Sequence, residues 1–104
     1  MKLLNAFSLN MLAEFPSTVK IDEISLERAK EIAAIGIESS IGHADTACVL
    51  SCLLGVGVPT LRETVSLCKG SEVLVAQYRG PRLPEGAMRL PAGATIQWLV
   101  VKIS

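Results

Sequence analysis

From about Ile41 to Leu54 the chain places apolar residues at Ala44, Ala47, Cys48, Val49, Leu50, Cys52, Leu53 and Leu54. That spacing predicts a helix, and these positions cover most of its circumference rather than a single stripe. A helix of this kind must be covered on more than one side. In a chain of 104 residues, large enough for one real core but not for two, one side meets a sheet and another is left for a second subunit. Gly55 and Gly57 stop the helix and Pro59 begins the return.

The flanking segments supply the sheet. Lys2–Ala6 reads as a short strand, and Phe7–Leu12 as a turn or one helical turn. Ser17–Ile24 alternates and contains β-branched residues, which predicts a second strand. Ser25 is a good N-cap for a short charged amphipathic helix over Leu26–Ile35, ending near Gly36. Leu61–Leu67 and Glu72–Tyr78 alternate as strands, Cys68 included with the first, and Lys69-Gly70 predicts a hairpin turn between them. Residues 79–94 contain Gly80, Pro81, Pro84, Gly86, Pro91 and Gly93, a loop of about 16 residues, and loops of that length in compact domains are usually functional or mobile. Thr95–Ile103 is the last and most apolar strand and is expected to lie centrally. The expected fold is α/β: a single compact domain over residues 1–104, with a mixed sheet of four to five strands covered by two helices and a second subunit against the uncovered side of the apolar helix.

Composition excludes several classes. Half the residues are apolar, which argues for a folded protein and against disorder. The formal net charge is zero, so there is no bulk electrostatic case for long nucleic acid. The charge is unevenly spread: residues 1–45 hold four Lys/Arg against seven Asp/Glu, and residues 46–104 hold six against three. Four arginines (Arg62, Arg79, Arg82 and Arg89) fall in the second part. A small anionic ligand fits there, although ordinary surface charge gives the same composition. Cys48, Cys52 and Cys68 form neither a metal nor a disulfide pattern, and core thiols of a reducing cytosol are the better reading. Met1-Lys2-Leu3-Leu4 mimics a signal peptide, but Asn5, Ser8 and Asn10 interrupt the apolar run and Glu14 ends it. No stretch approaches the roughly 18 apolar residues of a membrane span. The expected location is cytoplasmic.

The chemistry-bearing residues are few. His43 is the chain's only histidine and sits where the polar run Ser39-Ser40-Ile41-Gly42 meets the apolar helix. With Ser40 as N-cap, the imidazole lies in the first helical turn, beside N–H groups and a dipole end that favour anions. An imidazole beside a bound phosphate suits general-acid work; the bland alternative is a surface histidine with no role. Arg79-Gly80-Pro81-Arg82-Leu83-Pro84-Glu85 sets two guanidiniums and a carboxylate on the loop, either for bidentate phosphate contact or as a solvated, charge-balanced turn. Asn5, Ser8 and Asn10 either read a base edge or a phosphate, or cap turns. Gln77 is a similar polar residue at a strand end. A lone histidine without a nearby carboxylate pair makes no hydrolytic metal site, and no cofactor is implied. There is no Walker loop, G-x-G-x-x-G or G-x-S-x-G.

Asn5-Ala6-Phe7-Ser8-Leu9-Asn10-Met11-Leu12, Ser40-Ile41-Gly42-His43 and Gln77…Arg82-x-x-Glu85 together resemble one family, the small viral type III anti-CRISPR ring nucleases of archaeal viruses, phages and some prokaryotic genomes. The resemblance runs from about residue 2 to residue 85 and weakens beyond. It implies a symmetric homodimer that binds cyclic tetra-adenylate across the two-fold axis. It further implies cleavage without metal to linear di-adenylate with 2′,3′-cyclic phosphate ends, silencing type III CRISPR signalling. Residue by residue, His43 matches the catalytic histidine, Arg82 an arginine near the scissile phosphate and Glu85 a glutamate on the same mobile loop. Asn5, Ser8, Gln77 and Arg62 match ligand-contacting positions. Gly42, within the Ser-Ile-Gly-His block, and Asn10, within the N-terminal block, are carried as ligand-binding candidates with them. Pro81 and Pro84 flanking Arg82 depart from the pattern and stiffen the loop, while Arg79 and Arg89 have no counterpart in it. Two other readings stay open: a dimer that sequesters a cyclic oligonucleotide without cleaving it, and a structural dimer whose polar residues only cap turns.

Overall fold

The computed structural model describes residues 1–83 and 85–104. Five strands form one mixed sheet: β1 (Lys2–Leu4), β2 (Val19–Ile24), β3 (Glu38–Ser39), β4 (Glu72–Arg79) and β5 (Thr95–Ile103), in the order β2-β5-β4-β1-β3. β1 runs parallel to both β3 and β4, whereas β5 is antiparallel to β2 and β4. Two helices, α1 (Leu26–Ile35) and α2 (Ala44–Leu54), complete the α/β domain, with a short 3-10 turn at Leu9–Met11.

Strand alternation divides the core in two. Leu3, Leu74, Ala76, Trp98 and Val100 point to one face and pack with Ala29, Ile32 and Ala33 of α1 and Ala47, Leu50 and Leu54 of α2. Leu4, Val73, Val75, Val101 and Ile103 point to the other face, where Phe7, Met11, Leu12, Val65 and Leu67 cover part of it. Both helices therefore lie on one face, and the N-terminal crossing and the 65–67 segment lie on the other. Ser25 caps α1 as expected, its hydroxyl accepting from Arg28 N at 3.1 Å. Gly55, at φ +71°, closes α2 in the left-handed conformation that glycine adopts without penalty.

Several sequence-based expectations are corrected. Helix α2 starts at Ala44, three residues later than expected, so His43 is its N-cap and Ser40 is not. The reason is that residues 38–41 are held in extended pairing: Ser40 N donates to Leu3 O, and Ile41 bridges Thr60. As expected, this chain covers only part of the apolar circumference of α2. Ala47, Val49, Leu50 and Leu54 are buried, while Ala44 and Cys52 stay exposed.

Leu61–Leu67 is not a strand. It crosses beside the sheet with isolated bridges at its ends, Thr60 to Ile41 and Leu67 to Leu12, because its middle residues find no neighbour with which to form a ladder. Cys68 accordingly lies outside any strand. The Lys69-Gly70 turn leads into β4 rather than joining a hairpin, with Ser71 N donating to Cys68 O and Gly70 N to Ile103 O. β5 is interior, but the middle place of the five belongs to β4, which is buried from Val73 to Ala76. The two-residue strand β3 was too short to read from its sequence.

Candidate functional site

The parallel strands β1, β3 and β4 end along one side of the sheet, and in open α/β sheets the crevice beyond the carboxyl ends of strands is where ligands bind. Here that crevice is a cleft of about 420 Å3 lined by Asn5, His43, Asp45, Thr46, Tyr78, Arg82 and Leu83. Asn5 follows β1 directly, Tyr78 lies near the end of β4, and His43 to Thr46 form the mouth of α2. A second hollow of about 460 Å3 shares Asp45, Arg82 and Leu83 with it and adds Glu85.

His43 is exposed and makes no side-chain capping bond, and among the described residues no side chain caps the N–H groups of α2's first turn. Unsatisfied donors at a helix start favour an anion. Its position is set from behind by buried groups. Ser39 Oγ donates to Pro59 O at 2.6 Å and accepts from Ile41 N at 3.2 Å, and Leu61 N donates to Ile41 O at 2.8 Å. These bonds lay the 59–62 segment against the residues that lead into α2.

Arg62 is brought to the same mouth. A β-carbon placed on Gly42 meets the Cβ, Cγ and Nε of Arg62 at 3.6 Å, so the arginine stem lies over the Gly42 backbone. The adjacent Glu63 turns away and is taken up by Lys2 Nζ at 2.7 Å and Ser40 Oγ at 2.5 Å. The hydrogen bond from Lys2, and then that from Ser40, hold the Glu63 carboxyl below its ordinary range, and the same Glu63 contact raises Lys2. Among the described residues neither Arg62 nor Arg82 takes part in an ion pair. Two guanidiniums without carboxylate partners, beside an uncapped helix start, suit an anionic ligand with phosphate geometry.

The loop after β4 carries the remaining groups. Its two ends are pinched together at Gly80, where an added β-carbon falls 2.7 Å from Ala94 Cα. The Tyr78 hydroxyl donates to Pro81 O, and Asp45 Oδ1 accepts from Gly86 N at 3.1 Å. Pro84, expected to stiffen this loop together with Pro81, lies outside the described residues.

Of the sequence candidates, the structure gathers Asn5, His43, Arg82 and Glu85 around the adjoining hollows, whereas Gly42, next to His43, and Arg62, packed over Gly42, line neither. Ser8 and Asn10 do not line them: the Ser8 hydroxyl accepts from Asn10 N at 3.2 Å as the cap of the 3-10 turn. Gln77 lies on the open face of the sheet, opposite Gln97 in the β4–β5 ladder, and its amide nitrogen donates to Gln97 Oε1 at 3.2 Å. Arg79 Nη2 donates to the same oxygen at 3.0 Å, while Gln97 Nε2 donates to Glu23 Oε2 at 2.8 Å. That accounts for Arg79 as a surface partner of Gln97. Asp45, Thr46 and Tyr78 were missed. The first two lie two and three residues after His43 and share the helix mouth with it, a placement that a helix start at Ala44 makes apparent. Among the described residues no three His, Cys, Asp or Glu side chains are grouped as metal ligands, and no helix is long and apolar enough to cross a membrane.

The family model described as STIV B116-like matches residues 1–93. The chain belongs to that family. Among solved structures this B116-like chain is similar to B116 of Sulfolobus turreted icosahedral virus, at 30% sequence identity and a TM-score of 0.84, with 97% of each chain covered. Curated proteins yield no match.

Proposed function

We propose that this B116-like protein is a viral ring nuclease that binds cyclic tetra-adenylate and cuts it without metal. The observation that carries the reading is the convergence of His43, Arg82 and Asn5 on one cleft at the uncapped start of α2. The viral B116 relative, similar over nearly the whole chain, supports a viral origin and hence action in the host cytoplasm.

The chemistry asks little of the protein. A ribose 2′-hydroxyl attacks the adjacent phosphorus in line and loses its proton to solvent. The bond from phosphorus to the 5′-oxygen breaks, a 2′,3′-cyclic phosphate forms, and the leaving oxygen takes a proton. His43 is the group at hand to supply that proton. Arg82, with Arg62 packed over Gly42, offsets charge gathering on the non-bridging oxygens. Asn5 offers an amide to a base or sugar edge, and Glu85 a carboxylate to a sugar hydroxyl or adenine amine. The ring provides its own nucleophile, so positioning and charge stabilisation are the protein's tasks.

A homodimer would set one His43 at each of two opposite phosphodiesters, giving two cuts per ring. Apolar surface for such an association remains on the sheet side away from the helices, where Ile21, opposite Val101 in the ladder, is exposed. The deciding experiment is a single-turnover incubation with cyclic tetra-adenylate in EDTA, comparing wild type with His43→Ala. Wild type is expected to yield di-adenylate, and His43→Ala to bind the ring but leave it intact. Strict dependence on added metal would refute the general-acid role. Binding without cleavage by wild type would leave a sequestering dimer, and absence of binding would end both ligand readings.

A further inference from the structure

We infer that Asp45 is a positioning residue, whose carboxylate seats the loop bearing Arg82 and Glu85 against the start of α2. The catalytic half of this inference rests on the proposed ring-nuclease reading; the structural half does not. A carboxylate in a cleft that offers arginines and free N–H groups to an anion is out of place, because it repels the phosphate those groups attract. Asp45 nevertheless lines both hollows, beside Arg82 in each.

Its hydrogen bond gives the reason. The loop is fixed at its base by the Gly80–Ala94 contact and by the Tyr78 hydroxyl on Pro81 O, and Ala94 N closes a local turn onto Pro91 O. Between these points, among the described residues, the bond from Gly86 N to Asp45 Oδ1 is the one hydrogen bond that joins the loop to the rest of the fold. Gly86 has φ +76°, a left-handed turn residue, and its N–H meets the carboxylate at the second residue of α2. At that position the helix dipole favours a negative side chain, so the tether sits where an aspartate is tolerated. Arg82 and Glu85 are four and one residues before Gly86, so the contact that fixes the loop tip also fixes where their side chains start.

The test uses the full chain with two variants, Asp45→Ala and Asp45→Asn. In the unliganded protein, amide hydrogen exchange at Gly86 is expected to rise about tenfold or more in Asp45→Ala. Asp45→Asn, which keeps a carbonyl oxygen as acceptor, is expected to restore most of the protection. Exchange at Leu50, deep in α2, is expected to stay at the wild-type level. Unchanged Gly86 exchange in Asp45→Ala, or an equal rise at Leu50, would overturn the tether and leave a simple helix-start charge.

The catalytic half is read in single-turnover cleavage of cyclic tetra-adenylate. Asp45→Ala is expected to lower the rate about tenfold, with partial rescue by Asp45→Asn. Combined with Arg82→Ala it is expected to add little further loss, since both changes remove one contribution. Independent, multiplying losses would refute the link to Arg82. If wild type neither binds nor cleaves the ring, the proposed function fails while the exchange arm still decides the tether.

Discussion

Gly80 is the position where one added carbon does most damage. It stands at φ +144°, and a β-carbon there falls 2.7 Å from Ala94 Cα and 2.8 Å from Ala94 Cβ. The nearer atom is backbone, so no side-chain rotation relieves the overlap. Left-handed backbone at a non-glycine residue costs roughly 1–2 kcal/mol, and forcing a methyl into an occupied site costs roughly 1–3 kcal/mol more. Gly80→Ala is therefore expected to lose about 3 kcal/mol. For a domain of this size each kcal/mol moves Tm by roughly 4–8 °C, so the midpoint falls by at least about 10 °C.

Thermal unfolding followed by Trp98 fluorescence measures this directly, since Trp98 is the chain's single tryptophan and is 5% exposed. Gly57→Ala is the control. Nothing lies within 4 Å of a β-carbon there and the backbone is not in the left-handed region, so its Tm is expected within about 3 °C of wild type. Adding Ala94→Gly to Gly80→Ala removes the 2.8 Å contact and leaves the 2.7 Å contact, so only partial recovery is expected. A Gly80→Ala midpoint within about 3 °C of wild type would refute the reasoning, by showing that the two strand ends separate at little cost.

Ser39→Ala removes a buried hydroxyl that serves both Pro59 O and Ile41 N, and is expected to cost about 1–3 kcal/mol in urea unfolding; a loss under about 0.5 kcal/mol would show that water replaces it. Glu63 titrates below its ordinary 4.5 in the folded chain, so its contribution is present above that value and is lost as pH falls through the lowered one. Glu63→Gln is accordingly expected to flatten the acid limb of a Tm-against-pH curve below 4.5, and an unaltered limb would assign that limb to other carboxylates.

What the sequence disclosed follows from the range of the interactions involved. Helix α1 was legible to the residue because everything that sets it is local: Ser25 at its cap, an amphipathic spacing, and Gly36 beyond. Strands β2, β4 and β5 were legible as apolar, β-branched segments, and β4 and β5 bury residues on both faces of the sheet. The start of α2 was not, because Ser39, Ser40 and Ile41 are claimed by Pro59, Leu3 and Thr60, partners far along the chain that outbid a local cap. The same long-range pairing that moved His43 to the N-cap converted Leu61–Leu67 from an expected strand into a crossing segment. Gln77 shows the limit for sites. Its polarity was plain, but strand parity turns it to the open sheet face, away from the cleft that its neighbour Tyr78 lines.

The candidate site is thus built from two parts with different mechanical origins. His43, Asn5 and Arg62 stand on the frame: a strand end, a helix start and a segment locked by Ser39 and by the Lys2–Glu63–Ser40 cluster. Arg82 and Glu85 stand on a loop held at its base by Gly80 and at its tip by one hydrogen bond. A proton donor has to keep its distance from the leaving oxygen, which favours the frame. In the proposed reaction proton transfer falls to His43 on the frame, and charge stabilisation is shared between Arg62 on the frame and Arg82 on the loop. A carboxylate at the start of α2 is then the price of holding the second part in register with the first.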